Sequence, residues 1–260
     1  MTKFMKKTYS GSVLEIELFN GADSKAPKLK ANPEAIRTEQ QRQEYNRRKS
    51  EKHFIRIVNT NFNHNAYYVT LTYNNDNLPD TYEQAQKNLD NYIRRLRRIN
   101  PQAKIIGVTG YGRKGGRLHH HLIISGVAES DIIGKWCGGD IIRAETLRKN
   151  NIYNGKNHGE DFTALAAYLH AHTPNDVKGK RWKQTKTIVQ PKEDKPKKIT
   201  RCYSEYKPPK APKGYELAEV QTSEYYGSGY ICFKYIRTPQ PILKINIFKQ
   251  KAINSIAVNC

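Results

Sequence analysis

The chain has 260 residues, a length that suits one domain with appendages or one domain beside a small second one. Lysine and arginine number 45 against 24 aspartates and glutamates, which leaves a formal net charge of +21. No apolar run approaches the roughly 20 residues that cross a bilayer, and the basic N-terminus lacks an apolar signal region. We therefore expect a cytoplasmic protein with no membrane partner.

The charge excess indicates a polyanionic partner. A surplus of this size repels itself unless a polyanion is bound for at least part of the time. Nucleic acid is the usual polyanion, because its phosphates bind basic proteins through counterion release. A merely basic soluble protein or a ribosome-associated protein would show the same surplus, so the charge does not say which kind of partner is bound.

The four cysteines indicate no zinc site. Cys137, Cys202, Cys232 and Cys260 are scattered, and none belongs to a C-x-x-C pair. We expect reduced thiols in a cytosolic protein.

The first 60 residues predict an arm followed by a basic helix. Residues 1–30 mix glycine, lysine and proline around a short apolar patch, and we interpret them as a loosely held arm. Residues 33–58 look helical, since Pro33 can start a helix and the following stretch is polar and basic. Five cations of this helix form either a DNA-contact face or a solvated one: Arg42, Arg47, Arg48, Lys49 and Lys52.

Strands and helices alternate between residues 61 and 177. The β-branched and aromatic run at 66–73 predicts a strand, and apolar residues then recur at helical spacing: Ala85, Leu89, Tyr92, Ile93 and Leu96. Further strands are expected at about 104–111, 118–125 and 140–143, and further helices at 129–136 and 161–172. The order β-α-β-β-α-β-α predicts an α+β fold, a ferredoxin-like or RRM-like antiparallel sheet with helices packed on one face.

The remaining chain divides into a tether and a strand-rich end. Residues 178–213 are rich in lysine and proline and are interpreted as a tether. Two strand-like runs, 214–220 and 230–237, can pair as a hairpin, with turn residues such as Gly229 between them. No role is assigned to the tail at 242–260. The expected organisation is an arm with a basic helix, a central domain, a tether and a C-terminal β-rich segment, at 1–60, 61–177, 178–213 and 214–260.

The strand at 118–125 contains three consecutive histidines. Because alternate side chains of a strand share a face, His119 and His121 project together while His120 points the other way. Two imidazoles at i and i+2 can bind one metal ion. A histidine triplet is often only a surface or core cluster, but its place in an apolar strand of a very basic chain favours a metal site.

Tyr168 lies at the edge of an apolar helix. The apolar stripe of this helix is formed by Phe162, Leu165, Ala166 and Leu169. At about 100° per residue Tyr168 falls beside the stripe, where it can reach a neighbouring surface, and His172 follows one turn later on the same side. An edge tyrosine usually packs at the rim of a core, so only its combination with the histidine strand makes it a candidate catalytic residue.

An ordered set of short motifs runs through residues 40 to 190: Leu71-Thr72-Tyr73, Leu78-Pro79, GRLHHHLII at 116–124, ALAAYL at 164–169 and Lys180-Arg181-Trp182. In this order they resemble the HUH endonucleases, and among them the replication-associated proteins of bacterial plasmids and phages related to filamentous-phage gene II proteins. The ordered set is specific, whereas any single member is not.

The resemblance implies a rolling-circle replication initiator that nicks and rejoins single-stranded origin DNA. His119 and His121 would hold Mg²⁺ or Mn²⁺, which polarises the scissile phosphate. Tyr168 would attack that phosphate and keep the 5′ end as a phosphotyrosine. The freed 3′ hydroxyl would then prime replication.

The chain departs from the family pattern at two positions. Gly110 stands where the family usually has a glutamate as the third metal ligand, and Ala171 stands where it often has a lysine. His170 or His172 is a candidate for the missing charge, and a water or a residue from elsewhere for the missing ligand. The departures leave open a degenerate relative that binds origin DNA without cutting it.

Several arginines are expected to contact DNA phosphates, which supply affinity but little sequence information. They are Arg94, Arg95, Arg97 and Arg98 on one helix, Arg117 before the histidines and Arg181 after the tyrosine helix. Solvated charge is the alternative interpretation.

Two further expectations concern partners. The chain has no Walker-type phosphate loop, so unwinding requires a separate helicase, and synthesis requires a DNA polymerase.

An RNA-binding protein is a third hypothesis. Tyr67, Tyr68 and Tyr73 can stack on bases if the sheet leaves them exposed; the alternative is that they pack under helices.

Overall fold

A computed structural model describes residues 2–21, 38–112, 116–140, 142–153, 155–174, 180–223 and 229–238. Two antiparallel sheets and four helices make up these ranges, together with a small hairpin of β7 (Ile152–Tyr153) and β8 (Lys156–Asn157). The expected start of the basic helix at Pro33 and the tail at 242–260 lie outside the described residues.

The central sheet has five strands in the order β6-β3-β5-β4-β9, and all its pairings are antiparallel. Its strands are β3 (Tyr67–Leu71), β4 (Lys104–Tyr111), β5 (Leu118–Ser125), β6 (Ile142–Thr146) and β9 (Lys183–Gln184). The predicted α+β class with an antiparallel sheet is confirmed.

Helices cover both faces of the central sheet. The helices α2 (Tyr82–Ile99) and α3 (Glu129–Gly134) pack on the face that carries Leu122 and Ile124. The helices α1 (Glu39–Asn61) and α4 (Thr163–His172) pack on the opposite face. The expectation of helices on one face is wrong, because β4 and β5 are apolar on both sides and each side must be removed from water.

A second sheet joins the first described residues to the last. Its main strands are β1 (Thr2–Ser10), β2 (Val13–Gly21), β12 (Tyr215–Thr222) and β13 (Ile231–Arg237). The strand order begins with β10 (Lys192–Glu193) and continues through β1, β2 and β13 to β12, and β11 (Lys197–Lys198) also lies beside β1. Strands β12 and β13 pair antiparallel, as the expected hairpin requires.

Two segments are more ordered than their composition suggests. Residues 2–21, interpreted as a loosely held arm, form a paired hairpin, because Leu14 and Ile16 of the apolar patch pack against Phe233. The Lys/Pro-rich segment 178–213, interpreted as a tether, supplies β9 to the central sheet and two short strands to the second sheet. These are β10 (Lys192–Glu193) and β11 (Lys197–Lys198).

Helix α1 connects the two sheets. Thr38 caps its start in a capping box with Gln41. One side of the helix packs into the core of the central sheet through Phe54. The other side carries Lys52 and Arg56, each 2.8 Å from a carboxylate oxygen of a buried glutamate of β2, Glu17. Lys52, proposed from sequence as part of a DNA-contact face, is thus engaged in an ion network between helix and sheet.

No helix in the described part of the chain is both long and apolar enough to cross a membrane.

Candidate metal centre and nucleophile

Strand β5 divides the three histidines as the alternation of a strand requires. His119 and His121 lie on the face that α4 covers, and their Nε2 atoms are 3.0 Å apart. His120 points to the other face, where it is fully buried. Its Nε2 lies 2.6 Å from the hydroxyl of Tyr73 and its Nδ1 lies 2.8 Å from the hydroxyl of Thr109. The middle histidine is therefore a hydrogen-bonded core residue.

A third histidine reaches the same place from α4. One ring nitrogen from each of His119, His121 and His172 lies within 4.8 Å of the others. Sequence reasoning named His172 only as a substitute for a missing positive charge. The available signal was its position four residues after Tyr168, which puts both side chains on one side of the helix.

The hydrogen bonds of the three rings leave a common set of nitrogen atoms for a metal. The Nδ1 atoms of His119 and His172 lie 3.2 and 2.9 Å from the carbonyl oxygens of Arg117 and Tyr168. A carbonyl only accepts, so these Nδ1 atoms carry the proton and the Nε2 atoms keep a lone pair. Fixing the outer nitrogen of a ligand histidine in this way is the usual support of a metal site.

His121 is held by two hydroxyl groups. Its Nδ1 lies 2.8 Å from the Tyr68 hydroxyl and 3.1 Å from the Thr70 hydroxyl. The ring of Tyr68 also stacks on the His121 ring, with centroids 5.7 Å apart. Because a hydroxyl oxygen can accept a hydrogen bond from the Nδ1–H of His121, the same tautomer is open to His121 as to the other two histidines.

Burial favours the neutral form of two histidines of the site, His119 and His121. Burial lowers the pKa of His121 to about 3, with further contributions from His119 and His172. Burial also lowers the pKa of His119 below its ordinary value. Neutral imidazole is the form that binds a metal. The donor set thus fits a divalent cation. The Nε2 atoms of His119 and His121 are 3.0 Å apart, which is the separation of two ligand atoms that bind one ion at a right angle with bonds of about 2.1 Å.

Tyr168 stands beside this cluster. Its ring centroid is 4.2 Å from that of His172 and 5.6 Å from that of His121, and 44% of the residue is exposed. Burial raises the pKa of Tyr68 to about 12, and the neighbouring Tyr168 hydroxyl contributes through charge and a hydrogen bond. The two phenols and the His121 ring therefore adjoin one another.

The position of Gly110 is closed to any side chain. Gly110 pairs with His119 across β4 and β5. A Cβ at this position would stand 2.5 Å from the carbonyl oxygen of His172. The backbone of α4 thus occupies the space where the family pattern expects a carboxylate, and the same helix brings His172.

The structure separates the expected DNA-contacting arginines into two groups. Arg117, two residues before His119, bonds the Asn75 side chain at 2.6 Å and the Tyr73 carbonyl at 3.0 Å. Arg181 donates to the carbonyl of Thr173, the residue after His172, at 2.9 Å.

The other four arginines lie on α2, across the sheet from Tyr168: Arg94, Arg95, Arg97 and Arg98. Arg95 donates to the carbonyl of Lys135. The fold does not bring these four arginines together with the cluster of His119, His121 and His172.

Tyr67, Tyr68 and Tyr73 do not form an open aromatic platform on the sheet. Tyr73 is buried against Trp136, and Tyr67 packs against the core under α2. Tyr68 is partly buried beside His121. The three tyrosines therefore do not support the RNA-binding hypothesis, which needed bases to stack on an exposed sheet.

Comparison with known families identifies the part of the chain that holds this site. The family model for replication-associated proteins of the ORF2 and phage gene II protein type matches residues 66–176. Searches of curated proteins and of solved structures returned no significant match. The matched range contains the histidine strand, Tyr168 and His172, in agreement with the motif resemblance. Residues 66–176 of this chain are thus similar to that family of replication-associated proteins.

Proposed function

We propose that this protein initiates rolling-circle replication by nicking and rejoining single-stranded DNA through a covalent bond to Tyr168. The observation that carries the proposal is the convergence of three imidazoles and the Tyr168 phenol on one side of the central sheet. A family of replication-associated proteins implies a DNA substrate. The high net positive charge suits that substrate.

The metal would be held by His119, His121 and His172. When bound, a divalent ion polarises the scissile phosphate and offsets the charge that develops on it. Mg²⁺ prefers oxygen ligands, whereas imidazole suits transition metals better. With a third imidazole in place of a carboxylate, Mn²⁺ is the better candidate of the two expected ions.

Tyr168 supplies the nucleophile. Its partial exposure lets a strand approach the phenol, while the His172 ring packs beside it and limits its orientation. The phenol loses its proton and its oxygen forms a bond to phosphorus. The bond from phosphorus to the 3′ oxygen breaks, and that oxygen takes up a proton. The reverse reaction rejoins the strand, because the phosphotyrosine retains the energy of the broken phosphodiester.

The freed 3′ hydroxyl would serve a DNA polymerase as a primer, and a separate helicase would unwind the duplex. The chain has no Walker-type phosphate loop with which it could drive unwinding itself.

A catalytically degenerate binding protein was the main alternative, based on Gly110 and on Ala171. His172 weakens that alternative, because it offers the ligand that Gly110 lacks. The choice between the two functions rests on whether a covalent adduct forms.

The test is a gel assay with a labelled pool of random-sequence single-stranded oligonucleotides and Mn²⁺. We expect a denaturant-resistant adduct with the natural protein and none with Tyr168→Phe, which should still bind the pool. Tyr206→Phe, a change at a residue that is 91% exposed, is the matched control and should form adducts normally. Adducts from Tyr168→Phe would contradict the assignment of the nucleophile. Binding without adducts in the natural protein would favour the degenerate alternative.

A further inference from the structure

A groove lined mostly by charged and amide residues lies between α1 and the segment 180–190, on the side of α4 away from the cluster of His119, His121 and His172. Its volume is about 1310 Å³. Pockets for small molecules measure roughly 300–1,000 Å³, so the groove is large enough for an extended ligand. We call it the α1 groove.

The cations of the α1 groove surround a common space. They are Arg47, Lys180, Arg181 and Lys183. Burial lowers the pKa of Arg181 below its ordinary value, and the nearby positive charge of Arg47 lowers it further. The Nε atom of Arg181 is buried and has no hydrogen-bond partner among the described residues. Two like charges held close together in this way are stabilised by an anion between them.

The rest of the lining suits bases better than phosphates. Five carboxamides face the groove: Gln40, Gln43, Asn46, Gln184 and Gln190. A carboxamide offers both donors and an acceptor, which is the pattern that reads the edge of a base. Trp182 also lines the groove, and its indole Nε1 donates to Gln184 at 2.8 Å. A partly exposed aromatic ring among cations is the usual platform on which unpaired bases stack.

The α1 groove is directly connected to the candidate catalytic helix. His170 turns towards the groove, with its Nε2 3.1 Å from the hydroxyl of Ser50, a groove residue. Tyr168, two positions earlier, turns towards His121 and the histidine cluster. Arg181 donates to the carbonyl of Thr173, at the end of the same helix. The groove and the histidine cluster are therefore separated by about one helix diameter, roughly 10 Å. A few nucleotides span this distance.

We infer that the α1 groove holds an unpaired DNA strand next to the nicking site, with its phosphates on the cations and its bases on the carboxamides and Trp182. The inference rests on the proposed function for the choice of DNA as the polymer. It adds a site of strand recognition outside residues 66–176, since α1 and the segment 180–190 both lie beyond that range.

The test measures binding without chemistry, in a Tyr168→Phe background and without added metal. Fluorescence anisotropy compares a single-stranded DNA oligonucleotide with an abasic strand of equal length, which keeps the phosphates and lacks the bases. Lys180→Gln removes an exposed groove cation, and Arg148→Gln removes an exposed cation outside the groove as the matched control. Asn46→Ala removes one carboxamide at an exposed helix position, where alanine does not harm the helix.

We expect Lys180→Gln to weaken binding of both strands about threefold and to reduce the slope of log affinity against log salt by about 0.7. Asn46→Ala should weaken binding of the normal strand only. Glu44→Gln should strengthen binding, because Glu44 holds Arg47 at 2.7 Å and competes with a phosphate for it. If Lys180→Gln behaves like Arg148→Gln, or if Asn46→Ala affects both strands equally, the inference is wrong. Tighter binding of RNA than of DNA of the same sequence would overturn the choice of DNA. A failure of the adduct assay would not affect these readouts, so the two proposals fail separately.

Discussion

The backbone of Gly110 packs so closely against His172 that a methyl group on Gly110 would stand 2.5 Å from the His172 carbonyl oxygen. The glycine at this position is therefore required by the path of α4. It also accounts for the departure from the family pattern: the helix that excludes a carboxylate from β4 brings a third imidazole to the cluster.

Gly110→Ala should destabilise the protein, because the atom that a new Cβ would meet belongs to the backbone and only a shift of α4 can relieve the contact. We expect a loss of about 1–3 kcal/mol in the free energy of unfolding, together with weaker Mn²⁺ binding. Gly134→Ala is the matched control, since a Cβ there meets nothing within 4 Å. Urea unfolding and a Mn²⁺ titration measure the two effects. Gly110→Glu should also lose metal affinity, and a gain would show that the carboxylate fits after all.

His172→Ala should lower the affinity for Mn²⁺ by at least about tenfold, the smallest effect usual for a change around a metal. The reason is the loss of one of the three converging nitrogens. His64→Ala, which changes a histidine that pairs with Glu160 elsewhere, should leave Mn²⁺ affinity unchanged. Titration of Mn²⁺ followed by electron paramagnetic resonance gives both values. Equal affinities for the two variants would remove His172 from the site.

Tyr68→Phe should weaken Mn²⁺ binding by about tenfold, because the Tyr68 hydroxyl helps to keep the outer nitrogen of His121 protonated. The effect stays at the low end of the usual range since the Thr70 hydroxyl remains. The stacked ring is kept in this variant, so the fold should be unaffected. Tyr67→Phe changes the neighbouring strand residue, whose ring packs on the other face, and serves as the control. Unchanged affinity in Tyr68→Phe would mean that Thr70 alone orients His121.

The ion network between α1 and β2 should make stability depend on acid. Burial alone would raise the pKa of Glu17, but the charges of Lys52 and Arg56 outweigh burial and hold it at about 2. A carboxyl whose pKa is lowered by folding stabilises the protein above its unfolded pKa, and this stabilisation is lost as pH falls from about 4.5 towards 2. The shift corresponds to about 3 kcal/mol.

Glu17→Gln removes this dependence and leaves the positive charges of Lys52 and Arg56 with less compensation. We expect a loss of about 3 kcal/mol in the free energy of unfolding at about pH 7, and a smaller further loss on acidification than in the natural protein. Urea unfolding at about pH 7 and about pH 3 checks both values. Glu205→Gln, at an exposed glutamate, should follow the natural protein. An acid dependence of Glu17→Gln equal to that of the natural protein would place the sensitive carboxyl elsewhere.

Local patterns were sufficient for most elements of the central sheet and its helices. The apolar stretches at 104–111 and 118–125 agree with β4 and β5, because strand alternation and β-branched content are properties of neighbouring residues. The hairpin of residues 2–21 was missed for the opposite reason. Its second strand, β2, pairs with β13, which lies at the far end of the described chain, and composition does not report such a partner.

The same division holds for the candidate site. The two-residue period of a strand determined from sequence alone that His119 and His121 share a face, and helical spacing determined that Tyr168 and His172 share a side. Whether those two sides meet depends on how α4 packs across the sheet, a contact between elements far apart in the chain. Only the tertiary structure decided that His172 joins the cluster and that Gly110 leaves room for it, because close packing of one backbone on another is not encoded in any local pattern.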